Sequence, residues 1–148
     1  MRTTLLLGCA LLIAAQAVAA KSAPAFLGPP RHQAPADAKV YIISPKDGAT
    51  VGQDVTVVFG LEGMGVAPAG STHPNTGHHH LLIDAAELPP QDLPIPNDKT
   101  HMHFGAGQTQ TTIHLSPGAH TLQLDLGDGS HMQFVPPLVS KKITIHVK

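Results

Sequence analysis

Val55-Thr56-Val57-Val58-Phe59-Gly60-Leu61 places apolar side chains at every second position, with Thr56, Val58 and Gly60 between them. Successive side chains of an extended chain point to opposite faces, so the stretch predicts a strand with Val55, Val57, Phe59 and Leu61 turned inward. The period returns three times: Thr111, Ile113 and Leu115; Leu122, Leu124 and Leu126; Ile143, Ile145 and Val147. Residues 40–43 and 79–83 complete about six strands. No 3.6-residue apolar stripe of useful length occurs, and 14 Gly and 14 Pro in 148 residues supply turns rather than helices. The expected architecture is all-β: an immunoglobulin-like antiparallel β-sandwich of about six to seven strands. Ser44-Pro45-Lys46-Asp47-Gly48 closes the first strand. Ser116-Pro117-Gly118 has Pro and Gly where a type II turn needs them, which predicts a hairpin with Leu115 and Leu122 as its arms.

Upstream of the strands the chain has a different character. Arg2, an apolar run at 5–13 and Ala17-Val18-Ala19-Ala20 form the positive start, short apolar core and small-residue cleavage site of a secretory signal. The run is shorter than the roughly 20 residues a spanning helix needs, and no later stretch is apolar enough, so no membrane span is expected. Leu6-Leu7-Gly8-Cys9 has the form of a lipoprotein cleavage box, but it comes before the apolar run is complete. The expected organisation is a signal peptide at 1–20, a flexible Pro- and Ala-rich leader at 21–38, and one domain at 39–148, periplasmic or secreted after cleavage.

Losing the signal removes Arg2 and the only cysteine. Eight of nine Lys and Arg then face ten Asp and Glu, a formal charge of −2, which argues against nucleic acid as a partner. Without cysteine there is neither a disulfide nor a thiolate metal ligand.

Two irregular stretches, 63–77 and 85–107, are longer than a compact domain needs for connection, and both end in histidines. In His78-His79-His80 an extended backbone sends His78 and His80 to one face and His79 to the other. Residues two apart along a strand stand about 6.6 Å from each other, close enough for both rings to lean onto one ion. His101-Met102-His103 repeats the spacing, and His131-Met132 follows Gly127-Asp128-Gly129 in a third irregular stretch. His78, His80, His101, His103 and His131 are therefore the candidate metal ligands. Imidazole suits copper and zinc, and a thioether from Met64, Met102 or Met132 would add a preference for Cu(I), which puts copper before zinc. Asp84 or Asp128 is placed to orient a ligand ring. The competing structural reading is that these histidines brace the long loops against the sheet. His79 is expected in the core, His114 and His146 on exposed sheet faces, and His120 at a strand start; His32 and His73 carry no signal.

The chain resembles a bacterial family, the domain of unknown function numbered 4399. The resemblance rests on Tyr41-Ile42-Ile43-Ser44-Pro45-Lys46-Asp47-Gly48, Gly60-Leu61-Glu62-Gly63-Met64-Gly65, Asn75-Thr76-Gly77-His78-His79-His80-Leu81-Leu82-Ile83-Asp84, His103-Phe104-Gly105-Ala106-Gly107 and Pro117-Gly118-Ala119-His120-Thr121-Leu122. It implies an exported domain and assigns no activity.

Two functions compete at this level. One is a periplasmic protein that binds a copper or zinc ion through the clustered histidines; the other is a non-catalytic binding or adhesion module of the envelope, its histidines bracing loops, whose partner is an envelope protein or a glycan. Enzyme chemistry has little to stand on. There is no nucleophile elbow and no cysteine, and Glu62 and Glu87 are the only glutamates, so a hydrolase would depend on metal-activated water.

Overall fold

Alternating stretches become strands wherever an inward apolar face has a second sheet to meet. The computed structural model describes residues 30–148; the expected signal peptide and the leader up to residue 29 lie outside the described residues. Nine strands follow in order: β1 (Lys39–Ser44), β2 (Thr50–Val51), β3 (Asp54–Glu62), β4 (Gly65–Val66), β5 (Thr76–Ile83), β6 (His101–His103), β7 (Gln110–His114), β8 (Gly118–Gly127) and β9 (Ile143–Val147). No helix occurs among the described residues. The six longer strands are those the alternation predicts, and β2, β4 and β6 are additions of two or three residues.

One sheet has the order β1-β3-β7; the other runs β2-β9-β8-β5-β4, with β6 also paired to β5. Pairing is antiparallel except for two short parallel ladders, β2 with β9 and β4 with β5. The inner faces meet in a core of Val55, Val57 and Phe59 from β3, Ile113 from β7, Leu122, Leu124 and Leu126 from β8 and Ile145 from β9. Full burial of each such side chain contributes roughly 1.5–3 kcal/mol. This is the two-sheet sandwich the alternation calls for.

The expected hairpin at Ser116-Pro117-Gly118 does not form. β7 pairs with β3 and β8 pairs with β5 and β9, so this bend carries the chain from one sheet to the other. Gly118 turns it with φ at 145°. Leu115 and Leu122 both point into the core, as period two requires, but from opposite walls.

The outer face of the six-stranded sheet has its own cover. Leu82, Ile95, Met132 and Gln133 are 0–4% exposed and lie outside the main core cluster. The stretches 84–100 and 128–142 form the covering layer, joined where Ile95 N–H donates to the His131 carbonyl at 2.8 Å. The last part of the expected leader is attached as well. Val135 N–H donates to the His32 carbonyl and Ala34 N–H to the Val135 carbonyl, both at 2.9 Å, so this segment lies along the domain instead of trailing from it.

Candidate metal centre

The centre begins with the alternation of β5. His79 turns to the inter-sheet core, its ring 5.1 Å from that of Phe59. His78 and His80 turn to the covered outer face. In register, His80 stands opposite His103 of β6 on one side and Asp125 of β8 on the other, while His78 stands opposite Gly127. Directly opposed residues share a face, so His103, His80 and Asp125 form a row across three strands.

The rings converge. Centroid separations are 4.9 Å for His78–His80, 5.0 Å for His78–His103 and 5.1 Å for His80–His103. One nitrogen from each of these three residues lies within 4.8 Å of the others. His131 joins from the third irregular stretch, 4.9 Å from the His78 ring, with its Nε2 3.2 Å from His103 Nε2. Two glycines make the space. A Cβ on Gly127 would stand 2.9 Å from His80 Cε1, and one on Gly105 would stand 2.2 Å from His103 Cε1.

Electrostatics keep the inner rings neutral. Burial, reinforced by the neighbouring imidazoles, lowers the pKa of His78 to about 4 and that of His80 to about 2. Burial, then His131, also lowers that of His103. A neutral imidazole is the form that binds a metal.

The orphaned nitrogens test the fit. His78 and His80 are both 0% exposed, and neither nitrogen of either ring has a hydrogen-bond partner. Each such buried polar group costs about 1–3 kcal/mol when left unpaired. Bracing by hydrogen bonds would satisfy these atoms, yet a single bond, His131 to His103, links the four rings. Nitrogens bound to one ion at about 2.0 Å lie no more than about 4 Å apart, so the trio closes onto an ion with adjustments of about an ångström.

His101 goes elsewhere. It shares the outward face of β6 but stands opposite Leu82, one step along the sheet from the cluster. Its Nδ1 lies 2.9 Å from Asp98 Oδ1 and 3.0 Å from Thr100 Oγ1, and the hydrogen bond from His101 helps hold the Asp98 pKa down to about 2. The methionine expectation also changes. Met64 and Met102 pack against the inter-sheet core, so of the three only Met132, buried in the layer over the outer face, stays on the side of the cluster. Asp84 accepts from His120 Nδ1 and Thr121 N–H, both at 2.7 Å, and so belongs to the start of β8. Asp128 does shape the centre: its Oδ1 accepts from Ser130 and Met132 N–H at 2.8 and 2.9 Å, closing the loop that carries His131.

Residues that sequence reasoning missed include Gly105, Gly127 and Asp125. Alternation turns Asp125 away from the inter-sheet core, which in an open sandwich means solvent. Here the covering layer buries it completely, and burial raises its pKa to about 7. Gln133 Nε2 donates to its Oδ2, while Oδ1 has no partner.

The model of a family described as a domain of unknown function (DUF4399) matches residues 57–148. The chain belongs to that family. The matched DUF4399 stretch takes in all four clustered histidines and both glycines and leaves β1 outside it. No curated protein and no solved structure matches the chain.

Proposed function

We propose that this DUF4399 protein is exported to the periplasm and binds one divalent transition-metal ion through His78, His80, His103 and His131. The observation that carries the reading is that one nitrogen each from His78, His80 and His103 lies within 4.8 Å of the others, with the His131 ring alongside and with the buried His78 and His80 nitrogens free of hydrogen bonds. The signal-peptide pattern at 1–20 supports the location. Imidazole donors bind Cu(II) above Zn(II) in the usual order of affinity, which keeps copper before zinc. The thioether route to Cu(I) narrows to Met132, because Met64 and Met102 face the other core. Four imidazoles would fill a tetrahedral zinc site and leave no position for an activated water, which favours binding over hydrolysis there.

Titration of tag-free protein with Cu(II) and Zn(II) tests this. One ion per chain, lost in His78→Ala/His80→Ala, is the expected result; stoichiometric binding that survives the double substitution removes the site. The pH dependence also moves from the ordinary histidine range. A group with a lowered pKa resists protonation until lower pH, so the loss of zinc on acidification is expected to extend below the ordinary histidine range, toward about pH 4 where His78 takes up its proton.

A further inference from the structure

We infer that Asp128 is the positioning residue of the centre, and that the segment preceding the domain belongs to the centre through His32; the inference rests on the metal reading above. His131 has φ at 64°, a left-handed conformation that residues other than glycine seldom adopt. Apart from the Ile95 N–H on its carbonyl, the contacts that hold it there run through Asp128. Besides the two N–H groups bound by Oδ1, Asp128 N–H donates to the Met132 carbonyl and His131 N–H donates to the Asp128 carbonyl, both at 2.9 Å.

The other carboxylate oxygen is taken by His32 Nδ1 at 2.8 Å, a pair in which Asp128 is 3% exposed and His32 66%. His32 is itself fixed. Its carbonyl is bound by Val135, and Arg31 donates from Nε to the Gln133 carbonyl at 3.0 Å and from Nη2 to the Phe134 carbonyl at 2.6 Å. Residues 31–34 thus clamp the His131 loop on both sides, at Asp128 before it and at 133–135 after it. His32 and Asp128 also border a cavity of about 350 Å³, so the pair is approached from outside while His78 and His80 are sealed. Without the Asp128 carboxylate, the Ser130 and Met132 N–H groups lose their acceptor, the loop relaxes, and His131 leaves His103. A four-nitrogen centre becomes a three-nitrogen one.

The test is zinc affinity by chelator competition, with the visible absorption of the cobalt(II)-substituted protein as a report of ligand number. Asp128→Ala and His131→Ala are each expected to weaken zinc by about tenfold to a hundredfold and to alter the cobalt spectrum in the same way. The double variant should be no weaker than either single one, since both remove one ligand. His32→Ala should weaken zinc several-fold. Unchanged affinity in Asp128→Ala, or losses that multiply in the double variant, would overturn the inference. Should Asp128→Ala fail to fold, His32→Ala decides, because it deletes one bond from an exposed ring: wild-type affinity with a wild-type cobalt spectrum sinks the inference. A wild-type protein that binds no zinc refutes the metal reading itself, which is a separate outcome.

Discussion

Two residues without side chains define the centre as much as the histidines do. Gly105 leaves the volume that the His103 ring occupies, and the atoms a Cβ would strike are ring atoms at 2.2 and 2.5 Å. Gly105→Ala is therefore expected to push His103 out of line and weaken metal binding by about tenfold or more, as loss of one ligand's orientation does. Chelator competition on the variant measures this; wild-type affinity would show that His103 is dispensable. The H-x-H spacing exposed His78, His80 and His103 in the sequence because strand alternation alone puts residues two apart on one face. It could not separate His101 from His103. Both face outward, and only the register of β6 against β5, together with the Asp98 carboxylate, decides which one meets His80. Nor could it show why Gly105, Gly127 and Asp125 matter, since their roles come from how rings and covering loops are seated in the folded chain.

Among the elements, β8 carries the most. Its inward face presents Leu122, Leu124 and Leu126, each 0% exposed, to the core, and its outward face presents Asp125 and Gly127 to the centre. Leu124→Ala is expected to destabilise the protein by about 2–5 kcal/mol through lost transfer energy and a residual cavity. Thr112→Ala on β7, whose hydroxyl pairs with Thr56 at the surface, should cost under about 1 kcal/mol. Urea unfolding of the two variants compares them, and equal losses would contradict the assignment of faces. Period two identified the six longer strands and their inward residues. It is silent on whether consecutive strands pair or face each other, which is why Pro117-Gly118 fits a hairpin and a sheet-to-sheet bend equally well. The strands β2, β4 and β6 are too short to show a period, and their pairing is set by the long strands beside them.

For the whole molecule, the buried titratable groups make stability depend on pH. Burial holds the pKa of His78 and His79 at about 4 and that of His80 at about 2, below the unfolded value near 6.5. As pH falls below about 6.5 the unfolded chain takes up protons at these three positions that the folded chain refuses, so stability drops. Asp125 opposes this. Its pKa, raised to about 7, lets the folded chain keep a proton that the unfolded chain has released. The balance is about two protons, or on the order of 2 kcal/mol per pH unit at the steepest point between pH 6 and 4. Urea midpoints of the metal-free protein should fall across that interval, and a flat profile would mean that the histidines are solvated. The covering layer that buries these groups was the part of the fold least visible in the sequence. Stretches 84–100 and 128–142 have no period, and the seating of residues 31–34 follows from pairing with Val135 across a hundred residues.

The central claim is that separate stretches of backbone deliver their imidazoles to a single ion. Crystals of zinc-loaded protein, with the ion located by its anomalous scattering, address it most directly. The account predicts one peak about 2.0 Å from a nitrogen of each of His78, His80, His103 and His131. A peak bound elsewhere, or rings that keep their places with no ion between them, would contradict it.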